Sequence, residues 1–390
     1  MKRAALPASL WALLAGNFVI GTGVMVVPGT LNELSNSLQV SAATAGQLIT
    51  AGAAVVCFGA PLLAAAVAGW DRRLLLACSM LWYAAGHLLA TLMPSFGGLL
   101  AVRMLTVISP AIFTPQAAAC VGLLVPLEQR GRAVTFVFLG WSMASVLGLP
   151  LGALIGGHFG WRTAFAAIAV LSLLSAVWIW HQLPSGIRPQ ALTRAAWAQV
   201  LKSPLLMGVV AVTALQGSGQ FVLMSYFAPV LRETVGADAT TLGLVWGWFG
   251  VCGLLGNMLV SQAIDRVGAP RMVLVTTALI ALSLLLWPLG VTLGGLAIIL
   301  VPWGLGCFAA NSAQQARLVS MAPVLAPGSV ALNSSGIYVG QAVGAAAGGW
   351  LLARDAFAWM SWTGFAMLVC ALLLSLGIDR AQNRTAAFSA

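Results

Sequence analysis

The sequence predicts an all-α membrane protein in which twelve transmembrane helices form two pseudo-symmetric bundles of six. The composition, a series of long apolar segments and an internal repeat support this fold class. Hydrophobic residues make up 61% of the chain, charged residues make up 7%, and the mean hydropathy is +0.99. Soluble domains contain about 25% charged residues on average, so this composition excludes an ordinary soluble domain.

Twelve apolar segments follow one another, and each has the roughly 20 residues that a helix needs to cross about 30 Å of hydrocarbon. They cover residues 8–31, 43–68, 74–93, 97–125, 132–157, 163–183, 204–231, 240–263, 272–291, 294–319, 329–352 and 358–378. The connections between them are short, so no appended soluble domain is expected. Residues 1–3 lie too close to the first segment for a cleavable signal peptide, and we expect that segment to be retained.

An internal repeat divides the chain into residues 1–183, a cytoplasmic linker at 184–203, and residues 204–390. At a shift of 194–196 residues, Asp71-Arg72 aligns with Asp265-Arg266. The same shift aligns glycines of the fifth segment with glycines of the eleventh. Two parallel halves of six helices are typical of transporters that work by alternating access.

The basic residues predict the orientation of the helices. If the N-terminus is cytoplasmic, fourteen Lys and Arg residues lie on the inner side, and only Arg162, Arg232 and Arg354 lie on the outer side. This asymmetry favours cytoplasmic N- and C-termini. The formal charge of +10 then reflects topology and attraction to membrane lipids. Because the basic residues are scattered singly and in pairs, we expect no nucleic-acid partner.

Small residues recur at every fourth position in the fifth and eleventh segments, which places them on one helical face where another helix can approach closely. Pro150 lies within the first of these stripes, and a membrane helix tolerates it when neighbours satisfy the freed carbonyl. The glycines of the two stripes are Gly140, Gly148, Gly152 and Gly156, followed by Gly336, Gly340, Gly344 and Gly348.

Four stretches carry a family resemblance: PLLAAAVAGWDRRLLL at 61–76, Arg103, GLPLGALIGGHFGWRTAF at 148–165, and APGSVALNSSGIYVGQAVGAAAGG at 326–349. On these residues the chain resembles the major facilitator superfamily, specifically its twelve-span drug and sugar efflux branch, over nearly its whole length. The resemblance implies a secondary active transporter of the bacterial inner membrane. Such a protein exports small organic molecules by alternating access, in exchange for protons.

The resemblance also implies roles for individual residues. Arg103 is implied to lie near the cavity and to take part in proton coupling. The glycine run of the fifth segment is implied to be the antiporter motif, packed across the interface between the halves. The connections between segments 2 and 3 and between segments 8 and 9 are implied to form an inner gate, with residues Asp71, Arg72, Arg73, Asp265, Arg266 and Gly268.

The chain departs from the family pattern at two places. Ala68 occupies the usual acidic position of the first gate motif, whereas the second copy keeps the acid at Asp265, so we expect the gate to depend more on the second half. Related efflux proteins often have an acid within the first segment, but this chain has none there before Glu33. A proton-independent facilitator is therefore the alternative within transport.

Three residues are candidates for proton coupling. Arg103 is the only charged residue well inside a segment, where a charge costs about 3 kcal/mol or more; snorkelling to the outer headgroups is its alternative. Glu33 is the only acid attached to the first six segments on the outer side, although an acid there is usually solvated. His87 titrates in the right pH range, but a single buried histidine is more often part of the core.

Uncharged polar residues cluster on faces of the first, seventh, tenth and eleventh segments. This clustering predicts a water-filled cavity, with interhelical hydrogen bonds of about 1 kcal/mol each as the alternative. A polar and nearly uncharged lining favours a neutral or weakly charged solute with hydroxyls and apolar parts. The cavity candidates are Asn17, Thr22, Gln216, Gln220, Tyr226, Asn311, Gln314, Asn333, Tyr338 and Gln341.

The sequence contains no GxSxG, HExxH or Walker A motif, and its six cysteines lie in apolar segments without a CxxC pair. We therefore expect no enzyme activity, no cofactor and no metal. The expected partners are a small-molecule substrate, protons and membrane lipids, and the expected state is a monomer. A non-transporting receptor or scaffold is the alternative from a different functional class.

Overall fold

The computed structural model describes residues 7–40, 42–188, 193–352 and 354–389, and this part of the chain contains helices and no strand. Eleven of its helices are long and apolar enough to cross a membrane. A further long helix, Ala326–Leu352, lies at the place of the eleventh predicted segment. The predicted all-α fold is confirmed. Residues 1–6, and residues 189–192 of the predicted linker, lie outside the described part.

The first half contains six spans. Span 1 is Ala8–Gly29, span 2 is Ala42–Ala66, span 3 is Arg72–Thr91 and span 6 is Trp161–Gln182. Span 4 consists of the helices Phe96–Thr106 and Ile108–Leu124, and span 5 consists of Arg130–Met143 and Leu149–Phe159. A short helix, Leu31–Ser37, follows span 1.

The second half repeats this arrangement after a short helix, Arg194–Lys202, in the predicted linker. Span 7 is Pro204–Met224, and the short helix Phe227–Val235 follows it. Spans 8 to 12 are Ala239–Val267, Ala269–Leu286, Leu293–Met321, Ala326–Leu352 and Phe357–Ser389. The short helix after span 7 is the counterpart of the short helix after span 1.

Several spans begin at a polar capping residue, which satisfies backbone N–H groups that have no partner inside the helix. The carboxylate of Asp238 accepts a hydrogen bond from the N–H of Thr241 at 2.7 Å at the start of span 8. Hydrogen bonds from Thr241 hold the pKa of Asp238 below its ordinary value. Span 8 is followed by Gly268, whose φ is 90°. This left-handed conformation favours glycine, because glycine has no Cβ.

Span 5 changes its helical pitch in the middle. Residues Ala144–Gly148 form a π-helical turn directly before Leu149 and Pro150. Proline has no N–H, and its ring clashes with the carbonyl four residues earlier in a regular helix, so a wider turn accommodates it. The single segment predicted at 132–157 is therefore two helices joined by this turn.

The glycine stripe of span 5 packs against span 1 of the same half. A methyl group at Gly148 would lie 2.8 Å from Oγ1 of Thr22, and one at Gly152 would lie 3.5 Å from Cγ2 of Val26. Gly140 faces the backbone of Leu14 and Phe18, and Gly156 faces Thr30. The expectation that these glycines pack across the interface between the halves is wrong, because periodicity defines a close-packing face without showing which helix covers it.

The stripe of span 11 packs in the same way against span 7. A methyl group at Gly336 would lie 3.2 Å from the carbonyl of Val210, and Gly340, Gly344 and Gly348 face the carbonyls of Ala214, Ser218 and Val222. These four glycines therefore also bind their own half together. The two close pairs, span 1 with span 5 and span 7 with span 11, make each half a tightly packed bundle.

The two bundles contact each other through other faces of the same helices. Between spans 5 and 8, the amide of Asn257 donates to the hydroxyl of Ser142 at 3.0 Å, and Val146 faces Gly250. Between spans 2 and 11, the hydroxyl of Ser335 donates to the carbonyl of Cys57. Val146 and Gly250 lie near the middle of their spans, and the Asn257–Ser142 and Ser335–Cys57 pairs lie in the halves of the spans nearest the connections at 67–71, 125–129 and 268. We call this end of the molecule the basic face.

A leucine at Gly148 is expected to destabilise the first bundle. Overpacking a close helix contact costs about 1–3 kcal/mol, so Gly148→Leu should lower the melting temperature of the purified protein by several degrees. Gly247→Leu in span 8 is the matched control, because a methyl group at Gly247 would have no neighbour within 4 Å. A Gly148→Leu protein that melts like the wild type would contradict the packing of span 5 on span 1.

Candidate functional site

A buried arginine lies at the centre of the candidate site. The side chain of Arg103 in span 4 is 5% exposed, and its Nη1 donates to the carbonyl of Gly23 in span 1 at 3.1 Å. Its Nε has no hydrogen-bond partner among the described residues. Span 4 starts at the end of the molecule opposite the basic face. Arg103 lies seven residues after this start, which corresponds to a depth of about 10 Å. The guanidinium points into the protein and does not snorkel to the surface.

Glycines bring the first, third and fourth spans close together around Arg103. A methyl group at Gly23 would collide with the phenol of Tyr83, and one at Gly86 would collide with the side chain of Thr106. The hydroxyl of Tyr83 donates to the carbonyl of Ile20 at 3.1 Å and lies within interaction range of the Arg103 guanidinium. Tyr83 was not predicted, because a tyrosine in an apolar segment carries no sequence signal that separates it from packing residues.

His87 belongs to the same buried cluster. Its Nδ1 lies 3.0 Å from the carbonyl of Tyr83, one turn earlier in span 3, so Nδ1 carries the proton of the neutral ring. Its Nε2 is buried without a hydrogen-bond partner. The ring lies 4.3 Å from that of Tyr83 and 5.6 Å from that of Phe165 in span 6. His87 also lies within electrostatic range of Arg103.

Tyr338 connects this cluster to the second bundle. It lies in span 11, within electrostatic range of Arg103, and packs against the cluster that contains Val56, Ala60 and Val107. Arg103 is therefore surrounded by three spans of its own bundle and by one residue of the other. A relative movement of the two bundles changes the surroundings of Arg103 on the side of Tyr338.

Glu33 lies apart from Arg103. Its Oε1 is 3.9 Å from the position that a methyl group on Gly157 of span 5 would occupy. Arg103 binds the carbonyl of Gly23, ten residues earlier in the chain, which corresponds to about 15 Å along a helix. The structure therefore brings His87 to Arg103 and does not bring Glu33 to it.

Most of the predicted cavity residues form hydrogen bonds between spans. Asn17 in span 1 is fully buried; its amide donates to the carbonyl of Val137 at 3.3 Å and accepts from the hydroxyl of Thr114 at 3.0 Å. The hydroxyl of Thr22 donates to the carbonyl of Phe18 in its own helix. Asn17 therefore has the interhelical role that was the alternative to lining a cavity, whereas Thr22 bonds within span 1.

The second bundle contains a similar network. Gln216 donates to the hydroxyl of Thr277 in span 9 at 3.0 Å. The amide oxygen of Gln220 accepts from the indole N–H of Trp303 in span 10 at 3.0 Å. Tyr226 donates to the carbonyl of Ala345 at 2.9 Å. Trp303 was not predicted as a polar partner, since tryptophan in an apolar segment indicates packing.

Spans 7, 10 and 11 are linked in the same manner, but some polar atoms remain without partners. Gln314 donates to the carbonyl of Val209 at 3.3 Å, and Asn333 accepts from the hydroxyl of Thr213 at 2.6 Å. The oxygens of Gln314 and Asn311 have no partner. Asn311, Tyr338 and Gln341 are partly exposed. These three residues remain the best candidates for contact with a solute between the bundles.

The first gate motif acts within its own bundle. Asp71 caps span 3 by accepting from the N–H of Leu74, and it also accepts from the N–H of Gly186 at 2.6 Å. The guanidinium of Arg72 is buried and donates to the carbonyls of Val67 and Ala68, and Arg73 stacks on the ring of Trp180 at 4.3 Å.

The second gate motif contacts the other bundle. The carboxylate of Asp265 accepts from the backbone N–H of Arg132 at 2.7 Å, at the beginning of span 5. Asp265 lies in the last turn of span 8. Gly268 is the residue directly before span 9, and Asp71 is the residue directly before span 3. The structural counterpart of Asp71 is therefore Gly268, and the alignment of Asp71-Arg72 with Asp265-Arg266 is wrong by three residues. The side chain of Arg266 is exposed.

Comparison with known proteins identifies the family. The family model described as Major Facilitator Superfamily matches residues 13–329 and, in a second match, residues 209–389. This chain belongs to the major facilitator superfamily. It is accordingly a multi-pass membrane transporter and not an enzyme.

Similar curated proteins include transporters and a resistance protein. The inner membrane transport protein YdhP of Escherichia coli (strain K12) is 30% identical over 381 residues, covering 96% of this chain and 97% of YdhP. A chloramphenicol resistance protein of Streptomyces lividans is 31% identical over 287 residues, covering 73% and 72% of the two chains. A probable sugar efflux transporter of Helicobacter pylori (strain HPAG1) is 29% identical over 357 residues, covering 91% of each chain.

Solved structures show the same fold. The proton:xylose symporter XylE, bound to 6-bromo-6-deoxy-D-glucose, has a TM-score of 0.77 at 15% identity and covers 95% of both chains. The human organic anion transporter MFSD10 has a TM-score of 0.74 at 17% identity, covering 94% of this chain and 98% of its own. At these identities the likeness shows the architecture alone.

Asp265→Asn is expected to impair transport more than Asp71→Asn. A carboxylate at a helix N-terminus satisfies N–H groups and interacts with the helix dipole, and Asp265 does this across the bundle contact. Exposed charge interactions of this kind contribute about 0–1 kcal/mol, so the change should appear in the transport rate more than in the melting temperature. The measurement is initial-rate transport in proteoliposomes.

Gly131→Ala provides a second variant of the same contact, because a methyl group at Gly131 would lie 2.8 Å from Oδ1 of Asp265. It should reduce the rate in the same direction as Asp265→Asn. Equal and negligible effects of Asp265→Asn and Asp71→Asn would contradict a gate role for Asp265.

Proposed function

We propose that this transporter exports small organic molecules across a bacterial inner membrane by alternating access, in exchange for protons. The observation that carries the proposal is the position of the interbundle contacts. The hydrogen bonds between the bundles lie toward the basic face, while the buried Arg103 cluster lies toward the opposite face, within electrostatic range of Tyr338 in the second bundle. Two rigid bundles that meet near one face form one of the two end states of alternating access.

The direction of transport and the location are proposed from the relatives. A chloramphenicol resistance protein and a probable sugar efflux transporter are both similar to this chain over more than two thirds of its length. The asymmetry of Lys and Arg residues supports cytoplasmic termini, which makes the basic face cytoplasmic. The contacts between the bundles then close the cytoplasmic side, and the open side faces outward.

Arg103 and His87 are the proposed coupling pair. Guanidinium stays charged at any working pH, so Arg103 influences the proton without carrying it. A proton on His87 adds a second positive charge to a buried cluster, where the low dielectric strengthens the repulsion between the two charges. This repulsion favours a conformation in which Arg103 moves away from His87. Glu33 on the outer side is the competing proton site.

A proton-independent facilitator is the second candidate. The structure favours it in one respect, because the residues that surround Arg103 are Gly23, Tyr83, His87 and Tyr338, and no carboxylate is among them. The two candidates differ in one measurable property. Only the antiporter couples solute movement to proton movement.

His87→Gln is expected to abolish solute-induced proton flux. The test uses proteoliposomes with an imposed pH gradient, a fluorescent pH reporter, and a solute panel that includes chloramphenicol, arabinose, acetate and benzoate. His181→Gln is the matched control, because His181 is exposed at the end of span 6. Glu33→Gln should keep the flux, since Glu33 lies away from Arg103.

Three results would redirect the proposal. Loss of flux in Glu33→Gln together with normal flux in His87→Gln would move the proton site to Glu33. Solute uptake without proton flux in the wild type would favour the facilitator. No uptake of any solute in the panel would contradict the proposal that this chain transports molecules of this kind.

A further inference from the structure

Arg103 is a buried permanent charge without a charged partner. It is 5% exposed, one of its nitrogens has no hydrogen-bond partner, and its hydrogen bond to Gly23 is to a neutral carbonyl. Its other polar neighbours are the phenols of Tyr83 and Tyr338 and the imidazole of His87, none of which carries a negative charge near pH 7. A buried cation in such surroundings is unfavourable unless an anion accompanies it.

The chain itself has no acid in position to supply that anion. Seven of the eight acids lie in connections or in the first or last turn of a helix, and Asp379 lies inside the last helix, whereas Arg103 lies about 10 Å inside span 4. Asp265 binds span 5 and Asp379 pairs with Arg317 at 2.7 Å, both near the basic face. The carboxylate of Glu33 faces Gly157. The remaining acids are Asp71, Glu128, Glu233, Asp238 and Asp355.

Arg103 lies beside span 2, which borders the space between the two bundles. The Nε of Arg103 lies 3.9 Å from the position of a methyl group on Gly52 in span 2, and spans 2 and 11 border the space between the bundles. Gln47 and Thr50, one turn nearer the opposite face in span 2, are exposed polar residues. Exposed polar side chains on a membrane helix are favourable where they meet water instead of lipid.

We propose that Arg103 binds the carboxylate of a monoanionic organic solute, so that the cargo supplies the missing counter-charge. The planar guanidinium presents paired N–H donors that match a carboxylate, and one unpaired cation is balanced by one negative charge. The partly exposed ring of Tyr338 provides apolar surface for the body of such a solute. The inference rests on the proposed function and names the cargo of the same site.

The test is a binding measurement without any gradient. Purified protein in detergent is melted with sodium acetate, lactate or benzoate and, separately, with the matched neutral amides acetamide, lactamide and benzamide. At least one acid is expected to raise the melting temperature by about 2 °C or more at saturating concentration, with no comparable rise for its amide. Sodium chloride at the same concentration measures the effect of an inorganic anion.

Variants assign the response to Arg103. Arg103→Gln should lose it, and Arg103→Lys, which keeps the charge but not the paired donors, should keep part of it. Arg162→Gln is the matched control, because Arg162 is an exposed arginine that binds the carbonyls of Thr91 and Met93 at the opposite face. Its response should equal that of the wild type.

The proposal is overturned if no acid exceeds its amide, if chloride produces the same rise as the acids, or if Arg103→Gln responds like the wild type. These outcomes are distinct from a failure of the proposed function. Proton-coupled export of a neutral solute, with no preferential binding of acids, would reject the anion site and leave the exporter intact. Preferential binding of acids without proton flux would support the anion site and reject the proton-coupled exporter.

Discussion

Close contact between glycine faces and neighbouring helices determines how this transporter is built. In a bilayer the lipid tails are as apolar as the helix surfaces, so the hydrophobic effect does not drive helices together. Close packing and interhelical hydrogen bonds hold the spans together instead. Gly148 and Gly152 let span 5 approach span 1, and Gly344 and Gly348 let span 11 approach span 7. Each half thereby becomes a unit, and the opposite faces of spans 5 and 11 are free to contact the other half.

The contacts between the halves have a different character. They consist of single hydrogen bonds, such as Asn257 to Ser142, and of a carboxylate that caps a helix of the other bundle. Such interactions are individually weak and can be exchanged for water when the bundles separate. The gate is also asymmetric, because Ala68 replaces an acid at the end of span 2 and Asp71 closes its own bundle instead. The second half therefore supplies the acidic group of the basic-face contact.

Much of the fold could be predicted from the sequence, because long apolar segments leave few alternatives to membrane helices. The break of span 4 at Val107 and the π-helical turn before Pro150 could not, since they depend on how neighbouring helices satisfy the backbone. The sequence also could not show which helix packs against each glycine stripe. A four-residue period shows that one face is closely packed, and the structure alone shows that span 1, and not the second bundle, covers it.

The candidate site was predicted in part. Arg103 and His87 stand out because ionisable residues are rare in apolar segments, and the structure places them in one cluster. Tyr83 could not be recognised, and Glu33 was favoured only because the chain has so few acids. Most amides assigned to a cavity, among them Asn17 and Gln216, instead link helices. Composition indicates that polar groups are buried, but not whether they face water or one another.

Distances between spin labels test the central claim, that two rigid bundles move about a contact near the basic face. Leu127 and Val324 are exposed at the basic face in different bundles, and Phe159 and Leu289 are exposed at the opposite face. Phe159 and the exposed Leu92 lie in the same bundle and provide the control pair. When the pH or an added solute shifts the equilibrium, the distance between 127 and 324 should increase while that between 159 and 289 decreases. The distance between 159 and 92 should stay constant, and a comparable change in this control pair would contradict the account.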